Sequence, residues 1–149
     1  MGMTDVKAAR LGRTISLLAR NVELAVAGVG LSPAQYRLLS HLDDSPANGR
    51  VLADKLLVTP PTLTAVVDGL VARDLVERSN DPNDRRRVAH ALTADGRRAL
   101  AAAHVAVGEQ IEAILASTRA RDRARALEGF EVWHDALAEY IAVAAATPE

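Results

Sequence analysis

Three features of this 149-residue sequence predict a mainly α-helical domain with a small two- or three-stranded β ribbon. Apolar residues recur by threes and fours over long stretches at both ends, the pattern of helices that bury one stripe. In the middle, a short helical segment, a sharp corner and a longer helical segment follow one another, which is the helix-turn-helix arrangement. Two short strand-like runs then flank a turn-forming segment that ends in three arginines. The length suits one domain over residues 1–149, burying roughly 70% of its unfolded surface without disulfides or a structural metal.

The first helix is read from Leu11, Ile15, Leu18, Val22, Ala25 and Val29, spaced by alternating fours and threes. Gly28 and Gly30 end it, and Ser32 followed by Pro33 supplies an N-cap and a first-turn proline to the next helix. There Tyr36, Leu39 and Leu42 face inward, and Asp43 to Gly49 reads as a loop. Val51 to Leu56 is a short helix, Leu57-Val58 the turn, and Thr59 caps a helix that begins at Pro60-Pro61 and runs to Asp74. Leu63, Val66, Val67, Leu70 and Val71 form its buried face, leaving Pro61, Thr62, Thr64, Ala65 and Asp68 outward.

Leu75–Ser79 and Val88–Leu92 read as the strands of a hairpin, with Asn80 to Arg87 as its basic tip. Thr93 caps the long helix that follows, Asp95 suits its first turn, and Leu100, Ala103, Val107, Ile111, Ile114 and Thr118 carry its stripe. The alternating charges from Arg119 to Arg125 mark a turn into a last helix whose stripe is Leu127, Phe130, His134, Leu137, Ile141 and Ala144. Trp133 and Tyr140 lie beside that stripe and widen it.

Composition narrows the function classes. The absence of cysteine removes thiol nucleophiles, thiol-based peroxide sensing, thiolate zinc sites, Fe–S clusters and disulfides. His41, His90, His104 and His134 include no pair three or four apart, so no metal site is expected. There is no glycine-rich phosphate loop, no Gly-x-Ser-x-Gly elbow and no His-Glu-x-x-His, so no catalytic residue or cofactor is assigned. No run of about 18 uncharged apolar residues occurs and the N-terminus lacks the apolar core of a secretory signal, so no membrane contact and a cytoplasmic location are expected. The net charge of −1 is unevenly spread: residues 75–98 hold six basic and four acidic residues, residues 99–149 four basic and eight acidic. A basic middle and an acidic tail suggest a polyanion on a local patch.

From Leu52-Ala53 to Gly96 the sequence resembles the MarR family of winged helix-turn-helix transcriptional regulators. The resemblance is carried by Leu70, Leu75-Val76, Arg78, Asp81-Pro82, Asp84-Arg85-Arg86, Leu92-Thr93 and Gly96. It implies a winged helix-turn-helix DNA-binding module over residues 31–98, flanked by dimerisation helices over 1–30 and 99–146. It further implies a homodimer on a pseudo-palindromic double-stranded DNA operator, usually acting as a repressor, with release by a small aromatic or anionic effector. The family's recognition helix enters the major groove, which maps to Pro61, Thr62, Thr64, Ala65 and Asp68, and its wing enters the minor groove, which maps to Arg85, Arg86 and Arg87. Where relatives often carry Gly at the corner this chain has Leu57, so the corner is made right-handed or with strain.

Each assignment has a plainer rival. A run of charges is usually a solvated loop, but Arg85-Arg86-Arg87 follows a helix-turn-helix inside a hairpin, which favours DNA. Asp84 is expected to pair with Arg86 and hold the wing's shape. Leu11, Ile15, Phe130, Leu137 and Ile141 could belong to one chain's core, yet the flanking helices carry more apolar surface than the module can cover, which favours a second copy. Tyr36 is the candidate effector lining, with core or dimer interface as its alternative. The outward recognition face holds no Arg, Lys, Gln or Asn, so direct base readout is expected to be modest. That face also keeps open a second reading, a helical protein-interaction adaptor that retains the fold without operator specificity.

Overall fold

A computed structural model describes residues 4–80 and 88–146. The order is α1 (Asp5–Gly28), α2 (Pro33–Asp44), β1 (Ala47–Asn48), α3 (Gly49–Leu56), α4 (Pro60–Val71), β2 (Val76–Asn80), β3 (Val88–Leu92), α5 (Ala94–Leu115) and α6 (Ala120–Ala146). The expected fold class is what forms: mostly helix, with one three-stranded antiparallel sheet in the order β1-β3-β2.

The helix starts follow from capping chemistry. At α2 the Gln35 N–H donates to Ser32 Oγ at 3.1 Å while Ser32 N–H donates to Gln35 Oε1 at 3.0 Å, closing a capping box. Thr59 caps α4 and Thr93 caps α5, each through its side-chain oxygen, and α2 and α4 both open on proline. The short α3 starts at Gly49, two residues before the expected Val51, because Asn48 Oδ1 accepts from Val51 N–H at 3.1 Å.

Several boundaries differ from the sequence reading. The expected loop at Asp43–Gly49 contains β1, which exists only because Ala47 pairs with His90 and Asn48 with Ala89. Two residues have no period to read; a partner strand more than 40 positions away defines them. The recognition helix stops at Val71 rather than Asp74, and Asp74 takes φ 55°, so β2 begins at Val76. The charges from Arg119 to Arg125 lie almost wholly within α6, where Arg125 and Asp122 approach to 3.9 Å and Arg123 reaches Glu112 on α5. In α1 the fully buried residue is Val26, not part of the expected stripe, whereas Val29 is partly exposed beyond the helix end.

The core sits beneath the helix-turn-helix. Leu38, Leu39 and Leu42 of α2, Leu52 of α3 and Leu63, Val67 and Leu70 of α4 meet Val76, Leu92, Leu100, Ala103 and Val26. Truncating one of the fully buried leucines, such as Leu39, removes on the order of 2–5 kcal/mol, so this cluster fixes where the α4 face points. The hairpin is zipped from Val76↔Leu92 to Asn80↔Val88. α1 lies along α5, joined by Gln110 Nε2 donating to Asn21 Oδ1 at 2.9 Å. Among the described residues of α6 none is buried. Nor is any single described helix long and apolar enough to cross a membrane.

Candidate nucleic-acid interface

The corner between α3 and α4 brings the recognition helix to the surface. Leu57 makes that corner with φ 53° and ψ 45°, the left-handed conformation, so the strained of the two expected alternatives is realised. Its N–H and that of Val58 close on the last α3 carbonyls, Asp54 at 3.2 Å and Ala53 at 3.1 Å. Leu63, Val67 and Leu70 then anchor α4 inward, and Pro61, Thr62, Thr64, Ala65 and Asp68 are all exposed on the other side, as the spacing predicts.

Hydrogen bonding limits what that face can say to a base. Thr64 Oγ1 donates to the Pro60 carbonyl at 3.0 Å, so its hydroxyl proton is spent within the helix and it keeps acceptor lone pairs and a methyl. Thr62 Oγ1 lies 2.9 Å from Thr59 Oγ1, either of the two donating. Such a face can accept from the exocyclic amines of adenine or cytosine and can touch a thymine methyl, but has no bidentate donor for guanine.

Asp68 is the one acid of α4, and Arg78 on β2 pairs with it. Both side chains stay about half exposed, so the bond adds little stability; its effect is to cancel a carboxylate that would repel phosphate and to tie the wing's first strand to the recognition helix. Sequence reasoning placed no site role on Arg78. Its signals were its place among the residues that carry the family resemblance and the alternation of β2, which puts Arg78 on the same face as buried Val76.

At the wing root, Asn48, Gly49, Arg50, Val88 and His90 line an open groove of about 410 Å³. His90 is buried, and its Nδ1 faces the Ala47 carbonyl at 3.3 Å, which selects the tautomer that donates there. Burial holds its pKa below the ordinary 6.5, and the nearby Arg78 guanidinium pushes the same way; the Ala47 bond opposes them. His41 is likewise lowered, by burial and by Lys55, with Asp44 opposing. Asp84, Arg85, Arg86 and Arg87, the expected wing residues, lie outside the described residues.

Tyr36 is half-buried against the core and meets the His104 ring edge-on, with centroids 5.8 Å apart. Of the expected dimerisation residues, Leu11 and Ile141 are half-buried, and Ile15, Phe130 and Leu137 are about half exposed. Leu17, Leu24, Val105, Trp133 and Tyr140 join them as large apolar side chains open on α1, α5 and α6.

This arrangement of corner, exposed helix and hairpin recurs in known proteins, and residues 29–87 match the MarR family. That match spans the helix-turn-helix and the first strand of the hairpin. Its sequence is 34% identical over 83 residues to the transcriptional regulator HosA of Escherichia coli O111:H-, a match covering 55% of this chain and 61% of HosA. The matched part therefore spans under two thirds of that relative's length. The fold is similar to the transcriptional repressor CouR bound to a 23-mer DNA duplex, with 29% identity, a TM-score of 0.70, and coverage of 91% of this chain and 99% of that one. It is similar also to CouR from Rhodococcus jostii RHA1 bound to p-coumaroyl-CoA, at 25% identity and TM-score 0.70, covering 85% of this chain and 90% of that one. The chain thus shares its fold with one structure that holds duplex DNA and another that holds p-coumaroyl-CoA.

Proposed function

We propose that this protein is a transcriptional regulator of the repressor type that binds an operator in double-stranded DNA as a homodimer. The observation that carries the proposal is the exposed outer face of α4, with Pro61, Thr62, Thr64 and Ala65, held on a buried leucine cluster beside the β2–β3 hairpin. The DNA-bound relative supports the partner class. Thr62 and Thr64 contact bases or phosphates, while Arg85, Arg86 and Arg87 supply minor-groove charge. The open apolar side chains of α1, α5 and α6 support the second copy, since α6, with none of its described residues buried, has little to hold it in water alone.

Two recognition helices must sit about 34 Å apart to dock on successive half-sites. An effector that favours another spacing releases DNA by shifting the population of dimer geometries. The relative bound to p-coumaroyl-CoA supports a small aromatic or anionic effector, and Tyr36 is the proposed lining. The test is a gel shift on the DNA flanking the chain's own gene, at two salt concentrations and with candidate phenolic ligands. Retarded duplex whose affinity falls with salt is expected.

The lack of Arg, Lys, Gln and Asn on the recognition face favours one competing reading, a protein-binding adaptor of the same fold. No retardation of any flanking duplex at low salt would select it.

A further inference from the structure

A dimer that reads two half-sites needs its recognition helices at a fixed tilt as well as a fixed separation. Apolar packing of Leu70 and Val67 in the core sets which face of α4 points inward, but it is non-directional and does not by itself pin the end of α4 to the bend between α1 and α2. Directional bonds must supply the angle.

Arg73, just beyond the end of α4, makes such bonds. Its Nη1 donates to the Gly30 carbonyl at 2.9 Å and lies 3.4 Å from Gln35 Oε1. Gly30 has φ 80° and forms the bend where α1 gives way to α2, the two helices turning through 83°. That positive φ is what glycine permits without penalty, and the carbonyl it presents is the one the guanidinium takes. Gln35 Oε1 is already an acceptor in the α2 capping box, bonded by Ser32 N–H at 3.0 Å. Its amide nitrogen lies 3.5 Å from where a Cβ on Gly69 of α4 would stand, so the same side chain also abuts the recognition helix.

Among the described residues, these are the only side-chain hydrogen bonds that join residues 60–74 to the bend between α1 and α2. The other long-range bonds of that segment run to the wing and to α5, through Asp68 with Arg78 and the Asp74 carbonyl with Thr93 Oγ1. Arg73 is itself exposed, so its removal costs the core little. Both contacts come from one guanidinium nitrogen, Nη1, whose two N–H groups serve the two acceptors.

We propose that Arg73 is a positioning residue that fixes the tilt of the recognition helix against α1, so that the dimer accepts one half-site spacing and rejects others. The proposal rests on the DNA-binding reading above. It assigns Arg73 no contact with DNA.

Arg73→Ala and Arg73→Lys are compared with the parent on three duplexes: the operator, the operator with one base pair inserted at its centre, and a single half-site. For Arg73→Ala, operator affinity falls about tenfold, the preference for native spacing shrinks by a similar factor, and half-site affinity stays within about twofold. Arg73→Lys recovers part of the spacing preference. An undiminished preference in Arg73→Ala overturns the proposal, and so does an equal loss on the half-site, which would make Arg73 a phosphate contact.

A second measurement needs no DNA. The chain has no cysteine, so spin labels can be placed at Arg13→Cys on α1 and Ala65→Cys on α4, and the labelled protein diluted into unlabelled protein to read the distance within one protomer. The distance distribution is narrow in the parent and broadened in Arg73→Ala; equal widths overturn the proposal. Should the parent retain no duplex, the DNA-binding reading fails on its own, while the label distances still decide the role of Arg73.

Discussion

Leu57 and Gly96 show single residues under opposite constraints. Leu57 holds φ 53° and a largely exposed side chain, a conformation that costs an L-residue about 1–2 kcal/mol. Leu57→Gly should therefore raise unfolding stability by about 0.5–1 kcal/mol, the relief of strain outweighing the added chain entropy, as read from the urea midpoint. Gly96 has no such freedom: a Cβ there would lie 1.9 Å from the Leu75 carbonyl oxygen, a backbone atom that also accepts from Thr93 N–H. Gly96→Ala should cost about 3 kcal/mol or more, since α5 must move off the strand that follows α4. His90 gives a pH dependence with a definite sign. Its pKa in the fold lies below the ordinary 6.5, so the unfolded chain binds the proton first as pH falls. Stability is fully present above about pH 6.5 and declines below it toward the folded pKa, and His41 adds in the same direction. Urea midpoints between pH 7.5 and 5 should fall, with a shallower fall in His90→Gln.

At the level of elements, the recognition helix is a well-anchored presenter of a plain surface. Three of its residues enter the core, and its outward hydroxyls are partly used by its own first turn. On the proposed DNA-binding function, affinity comes mainly from phosphates and from the wing. Arg85→Ala or Arg86→Ala should cost on the order of 1–3 kcal/mol in duplex binding and lower the salt slope by about one for each phosphate that no longer meets a guanidinium. Fluorescence anisotropy across a salt series measures both, and an unchanged slope with unchanged affinity would remove the wing from the interface. The helix-turn-helix and its caps were legible because Ser32-Pro33, Thr59-Pro60 and Thr93 are local signals and the leucines repeat at the helical period. β1 was not legible, and neither was the Arg78–Asp68 bond, because each depends on segments brought together only by folding.

For the whole molecule, the division of apolar surface is the telling fact. The helix-turn-helix half buries Leu52, Leu63 and Leu70, while α6 buries none among its described residues and leaves Phe130, Trp133 and Leu137 about half exposed. Leu137→Glu, or Phe130→Glu beside it, should therefore shift sedimentation from dimer toward monomer at micromolar concentration while α2 to α4 keep their structure. Operator affinity should fall with it, because two linked half-site contacts become independent ones. A dimer that survives both changes would place the partner surface elsewhere.

The helices, their caps, the inward and outward faces of α4 and the order of helix, corner, helix and ribbon are all written in the linear chain. Those features arise from neighbours three or four positions apart, or two apart in a strand, so period and capping chemistry expose them. Folding in three dimensions was needed to settle that Leu57 would accept a left-handed corner, that Val26 and not Val29 would seal α1, and that Arg73 would reach the bend at Gly30. Each of those outcomes is set by residues far apart in the chain, whose energies compare only once packing has fixed which atoms face one another.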